Sequence, residues 1–89
     1  MLYKFYIGSN NKTKKLENKK AIDIISKEFK GFTCFKGLGY WNGVSEKSLI
    51  IEIESDDKVK VLRIVKKLAR VLKQDAIGLA RIGKMEFIN

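Results

Sequence analysis

One predicted helix, from Asp57 to Gln74, has an apolar side and a cationic side, and it constrains the fold more than any other segment. At about 100° per residue, its apolar side chains occupy roughly half of the helix circumference. Asp56 and Asp57 stand where a carboxylate caps the first turn and meets the positive end of the helix dipole. An apolar side that must be buried, backed by a cationic side, predicts a packed domain with a basic surface. This basic ridge consists of Lys60, Arg63, Lys66, Lys67, Arg70 and Lys73.

The length and composition predict one folded domain over residues 1–89. A hydrophobic content of 45% excludes general disorder, and no apolar run reaches the roughly 18 residues that a membrane span needs. The N-terminal residues lack a basic segment followed by a long apolar stretch, so we predict no signal peptide. Cys34 is the single cysteine and cannot form an internal disulfide, which fits a reducing compartment. We therefore expect a cytoplasmic protein without membrane contact.

The charge is strongly unbalanced, with 19 Lys and Arg against 10 Asp and Glu and a formal net charge of +9. Such an excess predicts a polyanionic partner: nucleic acid, a phosphorylated small molecule or an acidic protein. The alternative is a lysine-rich composition whose charged helix surface is only solvated.

Five further segments have the periodicity of regular secondary structure. Alternating apolar residues predict strands, and the i, i+3, i+4 spacing predicts a first helix that ends at Gly31. Asn42-Gly43 suits a two-residue type I′ hairpin turn, in which both central residues need positive φ. The predicted elements are a strand over 3–7, a helix over 16–30, strands over 32–41 and 44–54, the basic helix, and a strand over 76–88.

This β-α-β-β-α-β order predicts an α+β, ferredoxin-like fold, in which a four-stranded antiparallel sheet carries two helices on one face. A simple turn between the two middle strands would place Phe35 opposite Ile50. A β-bulge at Gly37 or Gly39 would shift that register.

The residue content argues against catalysis. The chain has no histidine, which excludes Ser-His-Asp and Cys-His nucleophile systems and any His metal site. Cys34 lies in a predicted strand, where a buried inert thiol is expected. Glu52 and Glu54 share one strand face and would form a carboxylate pair, although outward surface acids give the same pattern. We predict a non-enzymatic protein without a metal or cofactor.

A polar loop before the first helix is the predicted site for a small phosphorylated ligand. Its hydroxyl, amide and ammonium groups lead into a helix N-terminus, where N–H groups and the dipole favour an anion. Tyr40 and Trp41, near the hairpin tip, would cover a base or ribose, or would anchor a partner subunit. A pocket between two subunits could enclose a nucleotide, so we expect a homodimer or higher homo-oligomer. The loop residues are Asn10, Asn11, Lys12, Thr13, Lys14 and Lys15.

Two other binding modes remain open. The basic ridge would contact nucleic-acid phosphates without reading bases, giving weak and salt-sensitive affinity. Alternatively, the aromatic hairpin tip and an exposed sheet face with Tyr6, Phe35 and Ile50 would bind a host protein as an inhibitor. Base stacking on that sheet face is disfavoured because Glu52 and Glu54 share it and repel phosphate.

Several stretches resemble a loose set of small uncharacterised proteins carried by phages, prophages and plasmids. They are residues 6–14 (YIGSNNKTK), 31–33 (GFT), 37–41 (GLGYW) and 46–49 (EKSL), within the first 55 residues. The resemblance implies an accessory role on a mobile element, such as interference with a host defence. Trapping a nucleotide second messenger or blocking a nucleic-acid-guided nuclease would both suit a chain of this size and charge.

Overall fold

The predicted element order is confirmed. The computed structural model describes residues 1–9, 15–74 and 77–83, with the backbone alone at Trp41. The described residues form an α+β, ferredoxin-like arrangement in the order β-α-β-β-α-β. Its elements are β1 (Leu2–Ile7), α1 (Asn18–Ser26), β2 (Thr33–Trp41), β3 (Val44–Glu54), α2 (Lys58–Val71) and β4 (Gly78–Gly83).

The four strands form one antiparallel sheet in the order β2-β3-β1-β4. Side chains alternate between the two faces of a strand, so one face of β1 and of the second half of β3, from Leu49 onward, is apolar and packs beneath α1 and α2. Phe5 and Ile51 face each other there and are completely buried. The same core contains Tyr3, Ile7, Leu49 and Ile53 from the strands and Ala21, Ile25, Val61, Ile64, Leu68 and Leu72 from the helical segments.

The β2–β3 hairpin has the predicted turn and register. Asn42 and Gly43 have φ values of 50° and 78°, as a type I′ turn requires. Phe35 pairs with Ile50, and the pairing continues without a shift past Gly37 and Gly39, so no bulge forms between these strands. The hairpin is therefore regular over its whole length.

Helix α1 is shorter than the sequence predicts. The apolar i, i+3, i+4 spacing continues past the last helical turn, so it overestimates the length of the helix. It begins at Asn18 and ends at Ser26, rather than running from Leu16 to Lys30. The carbonyl of Ile25 accepts hydrogen bonds from the N–H groups of both Glu28 and Phe29, at 3.0 and 2.9 Å. This shared acceptor closes the helix before Gly31, although Phe29 still packs into the core.

The predicted cap of helix α2 is confirmed, whereas its predicted C-terminal end, at Gln74, is wrong. Asp57 is the N-cap, and its Oδ1 accepts a hydrogen bond from the Lys60 N–H at 3.0 Å. The helix ends at Val71, and Lys73 takes a left-handed conformation with φ of 57°. The N–H of Gln74 then donates to the Ala69 carbonyl at 2.9 Å, which is the bond of a Schellman C-cap.

The predicted last strand reaches Gly83, and its proposed continuation over 84–88 lies outside the described residues. Among the residues that the structure describes, no helix has the length and apolar character needed to cross a bilayer.

Candidate ligand-binding groove

The β2–β3 hairpin and the segment leading into α1 enclose an open groove of about 1110 Å³. The hairpin supplies one wall through side chains on both of its strands. The opposite wall comes from Ser9, at the end of β1, and from residues just before and at the start of α1. The lining residues are Ser9, Lys15, Leu16, Asn18, Lys36, Gly37, Leu38, Val44, Ser45, Glu46 and Lys47.

Strand register explains why two lysines of the hairpin lie in this groove. Lys36 pairs with Leu49, and Leu38 pairs with Lys47. Lys36 and Lys47 are therefore diagonal neighbours on one sheet face, within the roughly 7–8 Å that such pairs span. This is the face that buries Leu49 further along β3, but here the hairpin extends past the helices and its side chains meet solvent.

The end of β1 is attached to the hairpin through both the backbone and the side chain of Ser9. The Ser9 N–H donates to Glu46 Oε1 at 3.0 Å, and the Ser9 hydroxyl donates to the Lys47 carbonyl at 3.1 Å. These bonds join residues 37 and 38 positions apart in the chain. They fix one wall of the groove against the other.

A third bond connects Ser9 to the end of α2. Gln74 Nε2 donates to the Ser9 carbonyl at 2.8 Å, in a partly buried position. The C-cap at Lys73 turns the chain so that Gln74 reaches β1. All three polar groups of Ser9 are thus hydrogen-bonded, to two parts of the chain that are distant in sequence: β3, through Glu46 and Lys47, and the end of α2, through Gln74.

Gly8 lies directly against the Glu46 carboxylate. A Cβ atom at Gly8 would sit 2.2 Å from Glu46 Oε1, far inside van der Waals contact. A residue with a Cβ atom at this position would therefore displace the Glu46 carboxylate, which is the end of an exposed side chain, from its place against the backbone. The Gly8-Ser9 pair and Glu46 therefore form one structural unit at the side of the groove.

The electrostatics of the groove are dominated by three ammonium groups. Lys15, Lys36 and Lys47 come from three different segments, and all three side chains are exposed. Glu46 is the one acid among the lining residues, and its Oε1 already accepts the Ser9 N–H. No carboxylate of the described residues forms an ion pair with Lys36 or Lys47. The groove thus has a net positive charge beside the apolar side chains of Leu16, Leu38 and Val44.

The predicted ligand loop is described only in part. Asn10, Asn11, Lys12, Thr13 and Lys14 lie outside the described residues, but Lys15 lines the groove. Tyr40 is 69% exposed near the hairpin tip and does not line the groove, while the side chain of Trp41 is outside the description. The binding roles of these residues therefore stay predictions.

The predicted basic ridge is present along α2, with two changes at its ends. Lys60 Nζ lies 4.6 Å from the centre of the Phe29 ring, so its stem is partly buried between the helices. Lys73 follows the helix in a left-handed conformation and no longer continues the row. Arg63 is 3.6 Å from a Glu28 carboxylate oxygen. The exposed middle of the ridge is Lys66, Lys67 and Arg70.

Sequence reasoning named Lys15 and missed the hairpin lysines. The alternation along β2 and β3, read with the Asn42-Gly43 turn, places Lys36 and Lys47 on one face. That signal was available from the predicted register. The position of Lys15 in the same groove could not be predicted from the register, because it depends on where the segment before α1 packs.

The absence of a bound metal ion stays a prediction, and the structure describes only how the possible ligand side chains are arranged. Within residues 1–9, 15–74 and 77–83, no group of three or more Cys, Asp or Glu side chains is arranged to hold a metal ion. Cys34 is partly buried and packs against the core beside Ile51.

Comparisons with known proteins identify the fold and no family. No protein-family model matches the chain, and neither does any curated protein sequence. Solved structures do share its fold. A DUF3240 family protein from Shewanella baltica OS155 is 13% identical, with a TM-score of 0.62 over 99% of this chain and 96% of that one.

A phage SAM lyase in its apo state is 23% identical, with a TM-score of 0.59, and the match covers 88% of this chain and 75% of that one. CutA1 from Pyrococcus horikoshii OT3 is 13% identical, with a TM-score of 0.53, over 100% and 87% of the two chains. At these identities the likeness extends to the fold alone. The phage SAM lyase, which is an enzyme, is thus one of the structures that share the fold.

Proposed function

We propose that this protein binds a small phosphate-bearing nucleotide in the groove between the β2–β3 hairpin and the segment leading into α1. The observation that carries this proposal is the presence of Lys15, Lys36 and Lys47 in one concave site. Ammonium groups from three separate segments can contact one phosphate cluster from different directions. Isolated surface lysines do not offer that arrangement.

The remaining lining residues suit the rest of a nucleotide. Ligand sites combine apolar surface with a few polar groups that fix orientation. Leu16, Leu38 and Val44 supply apolar surface for a base, and Ser9, Asn18 and Ser45 supply polar atoms. The resemblance to phage and plasmid proteins supports a role in which the ligand is a host nucleotide signal.

Thermal unfolding with a nucleotide series tests this proposal. ATP, a cyclic dinucleotide and adenosine are each added at increasing concentration, and the melting temperature is recorded. At about 100 times the Kd, a ligand stabilises the folded state by about 2.7 kcal/mol, which raises the melting temperature of a domain this small by roughly 10 °C or more. We expect a rise with a phosphorylated ligand and none with adenosine. If adenosine acts as strongly as the phosphorylated ligands, or none has an effect, the proposal is wrong.

Enzymatic activity is tested in the same series. The absence of catalysis stays a prediction, and an enzyme shares this fold. S-adenosylmethionine is included as a probe because a phage SAM lyase shares the fold. Glu46 is the one carboxylate among the lining residues of the groove and is therefore the side chain to test. Chromatography of the incubated mixture measures its consumption. We expect no turnover, and consumption that disappears in Glu46→Gln would replace the binding function with an enzymatic one.

The second candidate function is a protein-binding inhibitor. It is favoured by the apolar side chains that the hairpin exposes, with Leu38 at 56% and Tyr40 and Val44 at 69% exposure. Pull-down of a host protein that is lost in Tyr40→Ala, without any nucleotide effect on melting, would favour this function over nucleotide binding.

A further inference from the structure

The sheet face opposite the helices carries an uncovered apolar row. Tyr6 of β1, Ile50 of β3 and Phe35 of β2 are consecutive partners across three strands. Tyr6, on the central strand β1, is 44% exposed, and Phe35, on the edge strand β2, is 43% exposed, although large aromatic side chains are mostly buried in folded proteins. No element of the described residues packs on this row, which we call the open-face row.

Glycines on β2 and β4 leave this face without side chains at two positions beside the open-face row. Gly78 pairs with Tyr6, and a Cβ atom there would lie 3.6 Å from Tyr6 Cδ2. A Cβ atom at Gly37 would lie 2.8 Å from Ile50 Cδ1. The tyrosine and isoleucine side chains therefore lie beside positions without side chains. The result is a flat surface, which suits a second flat sheet packed face to face at about 10 Å.

The charges beside the open-face row are already paired within the chain. Lys4 Nζ lies 3.2 Å from Glu52 Oε2, and each of these side chains is about one-quarter exposed. The N-terminal ammonium lies 2.8 Å from Glu54 Oε1. The face thus presents apolar atoms between locally neutralised charges.

The helical side of the molecule has the opposite character. Residues 17–30 and 58–74 contain 11 Lys and Arg against three Asp and Glu. Two copies that meet through their helices would bring like charges together. Two copies that meet through their sheets would bring neutral, flat and apolar surfaces together while keeping the basic helices apart.

We propose that the open face of the sheet is covered by a second copy of this chain, with the open-face row at the centre of the contact. The sheet has the size for it. The strands have 6, 9, 11 and 6 residues, and at about 4.8 Å between strands and 3.4 Å per residue they cover roughly 500 Å². With the relief of the side chains added, that approaches the roughly 600 Å² per partner at the lower end of stable interfaces. An apolar and locally neutral surface is complementary to a second copy of itself, which is what an interface between identical chains requires.

The mass of the particle in solution tests this interface. Light scattering after size exclusion should give at least twice the 10.2 kDa chain mass in the wild-type protein. Phe35→Glu places a charge in the open-face row and should raise the dissociation constant at least a hundredfold, giving a monomer. Val59→Glu is the matched control, since Val59 is 73% exposed on α2; it should leave the assembly intact.

Two outcomes overturn the proposal. One is a wild-type monomer at every concentration up to the millimolar range. The other is an assembly that survives Phe35→Glu or dissociates in Val59→Glu. Circular dichroism establishes that both variants are folded, and Tyr6→Lys gives a second disruption of the same row. A wild-type assembly that loses mass in both row variants and not in the control supports the interface.

Discussion

The groove and the basic ridge of α2 are both rich in lysine, yet they differ in how their charges are held. The ridge displays Lys66, Lys67 and Arg70 along the convex surface of one helix, where each ammonium or guanidinium group faces bulk water. The groove brings Lys36 and Lys47 of the hairpin together with Lys15 from another segment. The two regions thus differ in geometry rather than in residue type, because the groove gathers lysines from several segments into a concave surface and the ridge does not.

The two regions are also stabilised differently. The ridge is carried by a single helix with an Asp57 cap and a buried apolar side. The groove depends on hydrogen bonds between distant segments, through Ser9 to Glu46, Lys47 and Gln74. Local changes should therefore damage the groove more readily than the ridge.

The largest expected effect comes from reversing the groove charges. Lys36→Glu with Lys47→Glu should weaken nucleotide binding at least about a hundredfold, which corresponds to roughly 2.7 kcal/mol, because two of three phosphate contacts become repulsive. Isothermal titration calorimetry measures the change. Lys66→Glu with Arg70→Glu alters the net charge equally and is the matched control. It should change the affinity less than threefold, and equal losses in both pairs would mean that the overall charge, not the groove, attracts the ligand.

An intermediate effect is expected at Gly8. In Gly8→Ala the new methyl group displaces the Glu46 carboxylate and breaks its bond from the Ser9 N–H. Losing that solvent-exposed bond should cost about 0.5–1.5 kcal/mol of unfolding free energy, measured by urea denaturation, together with weaker ligand binding. Gly31→Ala is the control, because nothing lies within 4 Å of a Cβ atom there. A Gly8→Ala protein as stable as the control would contradict the role assigned to the Glu46 contact.

The smallest effect is expected at the cap of the ridge helix. Asp57→Ala removes the side-chain acceptor of the Lys60 N–H and should cost about 1 kcal/mol of unfolding free energy. Nucleotide affinity should stay within twofold, since the groove does not depend on this end of α2. The adjacent Asp56→Ala, which removes a fully exposed carboxylate 3.8 Å from the N-terminal ammonium, should leave the unfolding free energy unchanged, because an exposed ion pair is screened by solvent. A large loss of affinity in Asp57→Ala would show that ridge and groove are coupled.

Periodicity predicted most of the fold because it records which residues must be buried. The alternation of Leu49, Ile51 and Ile53 and the spacing of Val61, Ile64 and Leu68 identified a buried strand face and a buried helix face. Helix ends were predicted less well. The shared carbonyl at Ile25 and the left-handed residue Lys73 end the two helices inside periodic segments, and single non-glycine positions with positive φ leave little trace in a sequence.

The sequence by itself determined the order of the elements, the Asn42-Gly43 turn and the buried face of each element, since these follow from local conformational preference and apolar spacing. Only the tertiary structure decided that Lys15 lines the same groove as Lys36 and Lys47, and that Ser9 joins Glu46 to Gln74. Those contacts link residues 37 and 65 positions apart. They form only when the elements pack, because no local rule relates side chains so distant in the chain.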